Sequence, residues 1–282
     1  MLNPRYPLLL MRVTIWVDME GMAGIHNWAQ VTYGEPLYQE GRVLMTNEVN
    51  AAVRGAHRAG AEKIVVMDCH GAGGAGSFNS LLIHQCDPRA EYVLGAKWMR
   101  YTKPLEEGCD AALLVGAHAM AGTPDGVLCH TVSSEAWYNA WINDDLVGES
   151  GICAAVCGTW DCPVAFVSGD IATCNEVQKL LGEQIVTAPT KIGIYRYGAQ
   201  HLTPSVACEL IETRVQESLK NLSRLKPYKP TSPTTFKVML ATPDRALDFR
   251  GKPGVEITDN DRTVISRGEN FWQCWDQFWY HK

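Results

Sequence analysis

Short hydrophobic runs alternate with segments of helical periodicity through the first two-thirds of the chain. The runs occupy residues 13–17, 64–67, 111–115 and 164–167, whereas residues 39–59 place apolar side chains at helical spacing before Gly60. Strands that are apolar at nearly every position are typical of parallel sheets covered on both faces. The pattern therefore predicts an α/β fold with a mostly parallel sheet and helices on both of its faces.

The pattern changes after about residue 195. Residues 203–222 have helical periodicity, and a proline-rich connector follows at 226–233. Strand-like runs at 235–241, 255–257 and 263–265 then lead to an aromatic terminal helix. This order predicts two domains: a catalytic α/β domain at 12–195 and a smaller α+β domain at 196–282.

Polar side chains follow three of the hydrophobic runs directly. Asp18 and Glu20 come after the first run, His70 after the second and His118 after the third. Ligands of open parallel sheets bind beyond the carboxyl ends of the strands, so these side chains are expected at one edge of the sheet. Any one of them alone is more often a structural residue than a ligand.

Two further residues complete the candidate set. Glu149 follows a turn and alone would be an acid in the first turn of a helix, and His130 alone is unremarkable. Together, however, the carboxylates Asp18, Glu20 and Glu149 and the histidines His70 and His118 offer oxygen and nitrogen ligands without thiolates. Such a mixture suits one or two Zn²⁺ or similar divalent ions, and a two-metal site needs a bridging carboxylate.

Composition narrows the classes of partner. The 282 residues carry a net charge of −6, and no run of Lys and Arg suggests nucleic-acid binding. No apolar stretch is long enough for a membrane span, so a cytoplasmic location is expected. The ten cysteines are scattered and include no CxxC pair, which favours reduced thiols.

At this point the sequence resembles a known family. The stretches that carry the resemblance are VDMEG at 17–21, YQEGRVLMT at 38–46 with Glu48 and Asn50, DCH at 68–70, GAH at 116–118 with Thr123, Pro124 and His130, IN at 142–143, VGESG at 147–151 and SGD at 168–170. In this order they resemble the M55 metallopeptidases, the D-aminopeptidase family. The last third of the chain is similar only loosely.

The resemblance implies a binuclear zinc aminopeptidase that acts on short D-amino-acid peptides or aminoacyl amides. Asp18 would bridge two Zn²⁺ ions, with Glu20 and His118 completing one ion and His70 and Glu149 the other. Another divalent metal is possible. His130 falls on the catalytic histidine of the family. The family architecture is a Rossmann-like domain plus a smaller one, in a homo-oligomer that is a ring-shaped decamer of two pentamers.

Three alternatives remain open. The same metals could serve an amidohydrolase of a small aryl or heterocyclic amide, since Asp125 and a glycine-rich loop after His70 depart from the family pattern. A peptide-binding accessory protein of a transport operon would keep the metals without catalysis. A cysteine nucleophile, Cys69 or Cys129, would need a base and an orienting acid. The aromatic residues of 271–279 are expected in the core of the small domain or in a subunit contact.

Overall fold

A computed structural model describes residues 10–97, 100–258 and 261–279. The strands are β1 Met11–Val17, β2 Ala61–Asp68, β3 Glu91–Val93, β4 Ala111–Val115, β5 Trp137–Ile142, β6 Asp145–Val147, β7 Val164–Asp170, β8 Val186–Tyr195, β9 Gly198–His201, β10 Thr234–Leu240, β11 Val255–Thr258 and β12 Thr263–Gly268. The helices are α1 Trp28–Val31, α2 Tyr38–Arg58, α3 Lys103–Glu106, α4 Glu149–Thr159, α5 Ile171–Leu181, α6 Pro204–Leu219, α7 Pro243–Ala246 and α8 Phe271–Trp279.

Seven strands form the first sheet, in the order β3-β2-β1-β4-β7-β8-β9. All neighbours in it are parallel except the pair β8 and β9, which forms an antiparallel hairpin. The chain passes from β1 outward through β2 and β3, then returns to place β4 on the other side of β1. The strand order therefore reverses beside β1, and ligands of such sheets bind at that crevice.

Side chains of β1 alternate between two separate cores. Ile15 packs into a cluster with side chains of α2 and α6, whereas Trp16 packs on the opposite face against α4 and the second sheet. Because both faces are covered, both sets of positions must be apolar, which explains the unbroken hydrophobic run in the sequence. The predicted α/β class with a mostly parallel sheet and helices on both faces is confirmed.

The second sheet is antiparallel, in the order β11-β12-β10-β5-β6. It draws β5 and β6 from the range 12–195 and the other three strands from the range 196–282. The predicted boundary at 195 falls between β8 and β9, which pair in the first sheet, and α6 packs against α2. The division by sheets thus differs from a division along the chain, because β5 pairs with β10 over a long separation in sequence.

Helix α8 packs on β10, β12 and α4. Its residues Phe271, Trp275 and Phe278 are buried with Phe236 of β10. Within the described residues, no helix combines the length and the apolar character that crossing a membrane requires.

Candidate metal centre

Three neighbouring strands deliver the first four predicted residues to one edge of the first sheet. Asp18 and Glu20 follow β1, His70 follows β2 and His118 follows β4, and β1 lies between β2 and β4. Glu20, His70 and His118 are each at most 3% exposed. The strand ends fix where each of these loops begins, so the side chains converge at this edge.

Two glycines allow the loops after β1 and β4 to touch. A Cβ atom built on Gly21 would lie 2.0 Å from the carbonyl oxygen of Ala117, and the Gly21 amide donates to Gly116. Gly116 adopts a φ of +76°, and a Cβ there would lie 2.4 Å from the carbonyl oxygen of Asp18. Only glycine fits both positions, which brings the loop of Asp18 against the loop of His118.

His70 is oriented by its backbone surroundings. Its Nε2–H donates to the carbonyl of Val31 at 2.7 Å, which turns Nδ1 toward Asp18 Oδ1 at 3.0 Å and Glu20 Oε2 at 3.1 Å. Asp68, the last residue of β2, accepts the His70 amide at 3.0 Å and thereby fixes the start of this loop. A backbone acceptor on the remote nitrogen is the usual arrangement for a metal-binding histidine.

A backbone carbonyl also orients His118, but here Nδ1 makes the hydrogen bond and Nε2 faces the cluster. Its Nδ1–H donates to the carbonyl of Ala119 at 3.0 Å. Its Nε2 faces Glu149 Oε1 at 3.1 Å and Asp18 Oδ2 at 3.4 Å, yet this nitrogen has no hydrogen-bond partner among the described residues. The two oxygens of Asp18 therefore face two different histidines.

Glu149 and His130 close the cluster from the side of the second sheet. Glu149 begins α4, and its Oε1 accepts the amide of Val132 at 2.7 Å. His130 stacks on His118 with a centroid distance of 4.0 Å, and its Nδ1–H donates to Leu128 at 2.9 Å. The Nε2 of His130 lies 3.6 Å from Glu149 Oε1, so this nitrogen faces the cluster.

The electrostatics of the cluster follow from burying many ionisable groups together. Burial disfavours charge on His70 and His118, but the neighbouring carboxylates raise the pKa of both well above the usual value. Burial also opposes charge on Asp18, yet the adjacent His118 and His70 lower its pKa well below the usual value. Burial and then the nearby His118 lower the pKa of His130. The buried carboxylates thus favour a positive charge among them.

The donor set fits zinc. The buried Glu20 Oε2 and His118 Nε2 have no hydrogen-bond partner among the described residues, although both face the cluster. Ligand atoms on one tetrahedral zinc ion lie about 3.4 Å apart, given bonds of about 2.1 Å. The contacts of 3.0–3.4 Å between His70, His118 and their carboxylates match that spacing.

The donor atoms form overlapping groups. Those of Asp18, Glu20 and His118 all lie within 4.8 Å of one another, which agrees with one of the two ions implied by the resemblance. Apart from their contacts with Asp18, the shortest contacts nevertheless pair His70 with Glu20 and His118 with Glu149. A second group joins His118, His130 and Glu149. The division of ligands between two ions therefore stays a prediction.

A cavity of about 310 Å³ opens onto this cluster. Asp18, Glu20, His70, His130 and Glu149 line it. Phe78, Val132, Trp275 and Trp279 line it as well, and Lys97 is also a lining residue. The two tryptophans come from α8, so the sequence prediction that the aromatic helix serves core packing or a subunit contact missed a role at the cavity. Their spacing of four residues, which places both on one helix face, was the available signal.

Cys69 also lines this cavity, which bears on the cysteine-nucleophile alternative. Burial, together with the charges of Asp68 and Asp18, raises the pKa of Cys69 well above its usual value. A thiol in this environment stays protonated, whereas a nucleophilic cysteine needs a lowered pKa. The carboxylates that favour a metal ion therefore argue against a thiolate.

The sequence analysis did not identify Lys191 as a site residue, because a single lysine within a strand belongs to no recognisable motif. It is 2% exposed in β8, and its ammonium donates to the carbonyls of Glu20, Met22 and Ile25 at 2.6, 2.9 and 2.6 Å. These carbonyls belong to the turn that carries Asp18 and Glu20. Lys191 therefore fastens the loop of two predicted ligands to the first sheet.

Comparison with known proteins identifies the family of this chain. The M55 peptidase family, described as D-aminopeptidase, matches residues 11–280. A D-aminopeptidase of Bacillus subtilis (strain 168) is 31% identical over 255 residues, which cover 90% of each chain. A solved structure, described as a Zn-dependent D-aminopeptidase DppA from Bacillus subtilis and a self-compartmentalizing protease, superposes with a TM-score of 0.85 at 29% identity over 95% of each chain. The chain therefore belongs to the M55 D-aminopeptidase family of metal-dependent peptidases.

Proposed function

We propose that this chain is a binuclear zinc aminopeptidase that hydrolyses the first amide bond of short D-amino-acid peptides or aminoacyl amides. The observation that carries the proposal is the pair of buried, unpartnered atoms, Glu20 Oε2 and His118 Nε2, within a cluster of carboxylates and histidines at a cavity. The names of the relatives support the substrate class.

Five residues would hold the ions: Asp18, Glu20, His70, His118 and Glu149. Asp18 would bridge, because its two oxygens face different histidines. The backbone carbonyls of Val31 and Ala119 hold the two histidine rings, so that Nδ1 of His70 and Nε2 of His118 present lone pairs to the cluster. When bound, zinc supplies Lewis acidity that polarises a carbonyl and makes water more acidic.

His130 would move the proton. Its Nδ1–H is engaged by Leu128, and its Nε2 faces the cluster at the edge of the cavity. Because burial lowers the pKa of His130, the neutral ring predominates near neutral pH. Nε2 can then take a proton as water attacks the carbonyl and deliver it to the departing amine.

Hydrolysis of a matched panel by the zinc-loaded protein tests this function. The panel contains D- and L-alaninamide, the corresponding alanine dipeptides and N-acetylalaninamide, which lacks the free amine. We expect turnover of the D-compounds with a free amine, loss of turnover with a chelator and recovery with zinc. Full zinc content without turnover of any amide would instead favour the accessory-protein alternative.

We also infer that the chain self-associates, in the decamer that the family resemblance implies. The relative described as self-compartmentalizing supports this, and so does an exposed apolar surface on the hairpin of β8 and β9. Ile194 and Tyr195 are 67% and 56% exposed there, and Ile192 and Tyr197 are also exposed. A clustered apolar surface of this kind typically marks an interface.

Light scattering tests the assembly directly. A mass near 31.2 kDa at micromolar concentration would contradict self-association. Ile194→Asp is expected to reduce the assembled mass, since it places a charge in the apolar hairpin surface. Leu247→Asp, at a residue that is 53% exposed next to α7, is the matched control and should not change the mass.

A further inference from the structure

The cavity at the predicted metal cluster has two kinds of lining residue. Carboxylates and histidines line it together with the apolar side chains of Phe78, Val132, Trp275 and Trp279. We call Phe78, Trp275 and Trp279 the aromatic wall. Hydrolysis of an amide does not itself require three large aromatic rings beside the charged cluster, because the reaction takes place at polar groups.

The aromatic wall is held firmly from behind. Trp275 is fully buried and lies against Phe236 and Phe271, with ring centroids 5.6 and 6.0 Å apart. Trp279 lies 5.7 Å from Trp275 and stacks on Trp137 at 5.8 Å with an interplanar angle of 12°. Rings fixed in this way can bind a flat apolar group without first losing conformational freedom.

The size of the cavity fits such a group. An apolar cavity of about 150 Å³ accommodates a benzene ring, so about 310 Å³ leaves room for a phenyl group together with the amide that is cleaved. Aromatic rings add edge-to-face and offset-stacked contacts to the burial of apolar area. An alanine side chain would leave most of the aromatic wall uncovered.

We propose that the aromatic wall binds an aromatic group adjacent to the scissile amide, so that the chain prefers aromatic amides to alanine-type amides. The proposal rests on the proposed aminopeptidase function and names its substrate class. The aromatic group can belong to the acyl side of the amide or to the leaving amine, and both place a ring within one residue of the reacting carbonyl.

The test compares three amides of the preferred stereochemistry. Alaninamide has no ring, phenylalaninamide carries a phenyl group on the acyl side of the amide, and alanine anilide carries one on the leaving amine. We expect kcat/KM of the zinc-loaded protein to be about 10–100-fold higher for at least one aromatic amide than for alaninamide, as expected for burial of a phenyl group. The favoured aromatic amide identifies the side of the bond that the aromatic wall binds.

Trp279→Ala should reduce this aromatic advantage by about tenfold or more while changing kcat/KM for alaninamide less than threefold. Trp272→Ala is the matched control on α8, because Trp272 contacts Trp160 at 5.2 Å and is not a lining residue of the cavity. Trp272→Ala should leave the ratio of kcat/KM between the favoured aromatic amide and alaninamide unchanged. If Trp279→Ala does not fold, Trp279→Leu keeps an apolar side chain of intermediate size and removes the flat ring.

Calorimetry separates this proposal from the catalytic one. Phenylalaninol and alaninol differ by the phenyl group and have no amide to cleave. We expect phenylalaninol to bind about tenfold or more tightly, and Trp279→Ala to remove the difference. Equal affinities for phenylalaninol and alaninol would overturn the proposal that the aromatic wall binds an aromatic group, even if alaninamide is hydrolysed. Tighter binding of phenylalaninol that Trp279→Ala leaves unchanged would overturn it as well. Absence of all hydrolysis with a retained difference in affinity would overturn only the aminopeptidase function.

Discussion

Two buried charged centres lie on either side of the turn that follows β1. On one side, Lys191 places its ammonium among three backbone carbonyls, and burial lowers its pKa to about 8, so it is mostly charged at neutral pH. On the other side, Asp18 and Glu20 join two histidines in a cluster where two buried atoms have no hydrogen-bond partner among the described residues.

The difference between the two centres separates structure from function. In the first centre the positive charge is the ammonium of Lys191, and hydrogen bonds to three neutral backbone carbonyls stabilise it. The second centre collects negative charge and lone pairs that only a cation can satisfy fully, because a buried charge without a partner costs several kcal/mol. Lys191 therefore stabilises the turn, whereas the opposite side is suited to bind metal.

The largest effect is expected for Asp18→Ala, which removes the carboxylate shared by both histidines. We expect loss of both ions and a fall in turnover of at least about 10⁴-fold, because the Lewis acid and the ligand geometry disappear together. Elemental analysis measures the ions. Asp125→Ala, at an exposed carboxylate in the loop after His118, is the control and should keep two ions. Loss of only one ion from Asp18→Ala would show that Asp18 is a terminal ligand.

His130→Ala should come next, with metals and fold retained and kcat lower by roughly 10²–10⁴-fold, the usual range for a positioned acid–base group. His118→Ala provides the contrast, because its Nε2 lies within the ligand cluster and its loss should reduce metal content and activity together. A metal-depleted His130→Ala, or one with nearly normal turnover, would contradict the role proposed for His130.

Lys191→Met tests the first centre. Three carbonyls would lose their donor in a buried site, so we expect the free energy of unfolding to fall by about 3–5 kcal/mol. Zinc affinity should also decrease by roughly 10–100-fold, since partners that orient ligands act on metal binding at this scale. Chemical denaturation and zinc titration measure the two effects. The control Lys179→Met, on the exposed side of α5, should change neither the free energy of unfolding nor the zinc affinity. Unchanged zinc affinity in folded Lys191→Met would show that Lys191 contributes to stability and not to metal binding.

Glu48→Gln should give a smaller effect that depends on pH. Burial raises the pKa of Glu48 to about 7, and its Oε1 accepts the amide of Ala23 at 2.7 Å in the same turn. A raised pKa gives stability that is fully present below the unfolded value of 4.5 and is lost as pH rises through 7. The wild type should therefore lose about 3 kcal/mol over this interval relative to Glu48→Gln, measured by denaturation at each pH. Parallel pH profiles for the two proteins would show that Glu48 does not titrate as described.

The sequence was most informative where local pattern and position coincide. Hydrophobic runs predicted the central strands, and the polar residues that follow them, Asp18, Glu20, His70 and His118, lie together in the structure. The predicted helix of residues 39–59 corresponds to α2, Tyr38–Arg58. Parallel strands align their carboxyl ends, so a one-dimensional pattern sufficed to place these four side chains at one edge.

Glu149 and His130 depended more on the family resemblance, because neither follows a strand of the first sheet. Glu149 reaches the cluster from the start of α4, and His130 reaches it through the loop after His118. The second sheet was predicted only in part, since β5 and β6 pair with β10 from a distant part of the chain. Such pairing depends on long-range contacts that no local window contains.

By itself, therefore, the sequence determined the parallel sheet, the helix that covers it and the chemistry at the ends of its central strands, because hydrophobic periodicity and strand ends are local properties. Only the tertiary structure decided which side chains meet across the fold. It placed Lys191 of β8 under the turn of Asp18, and it turned two tryptophans of α8 toward the cavity. Both results arise from packing between separate segments, which for Lys191 and Glu20 lie 171 residues apart, where burial and hydrogen bonding, not local preference, select the partners.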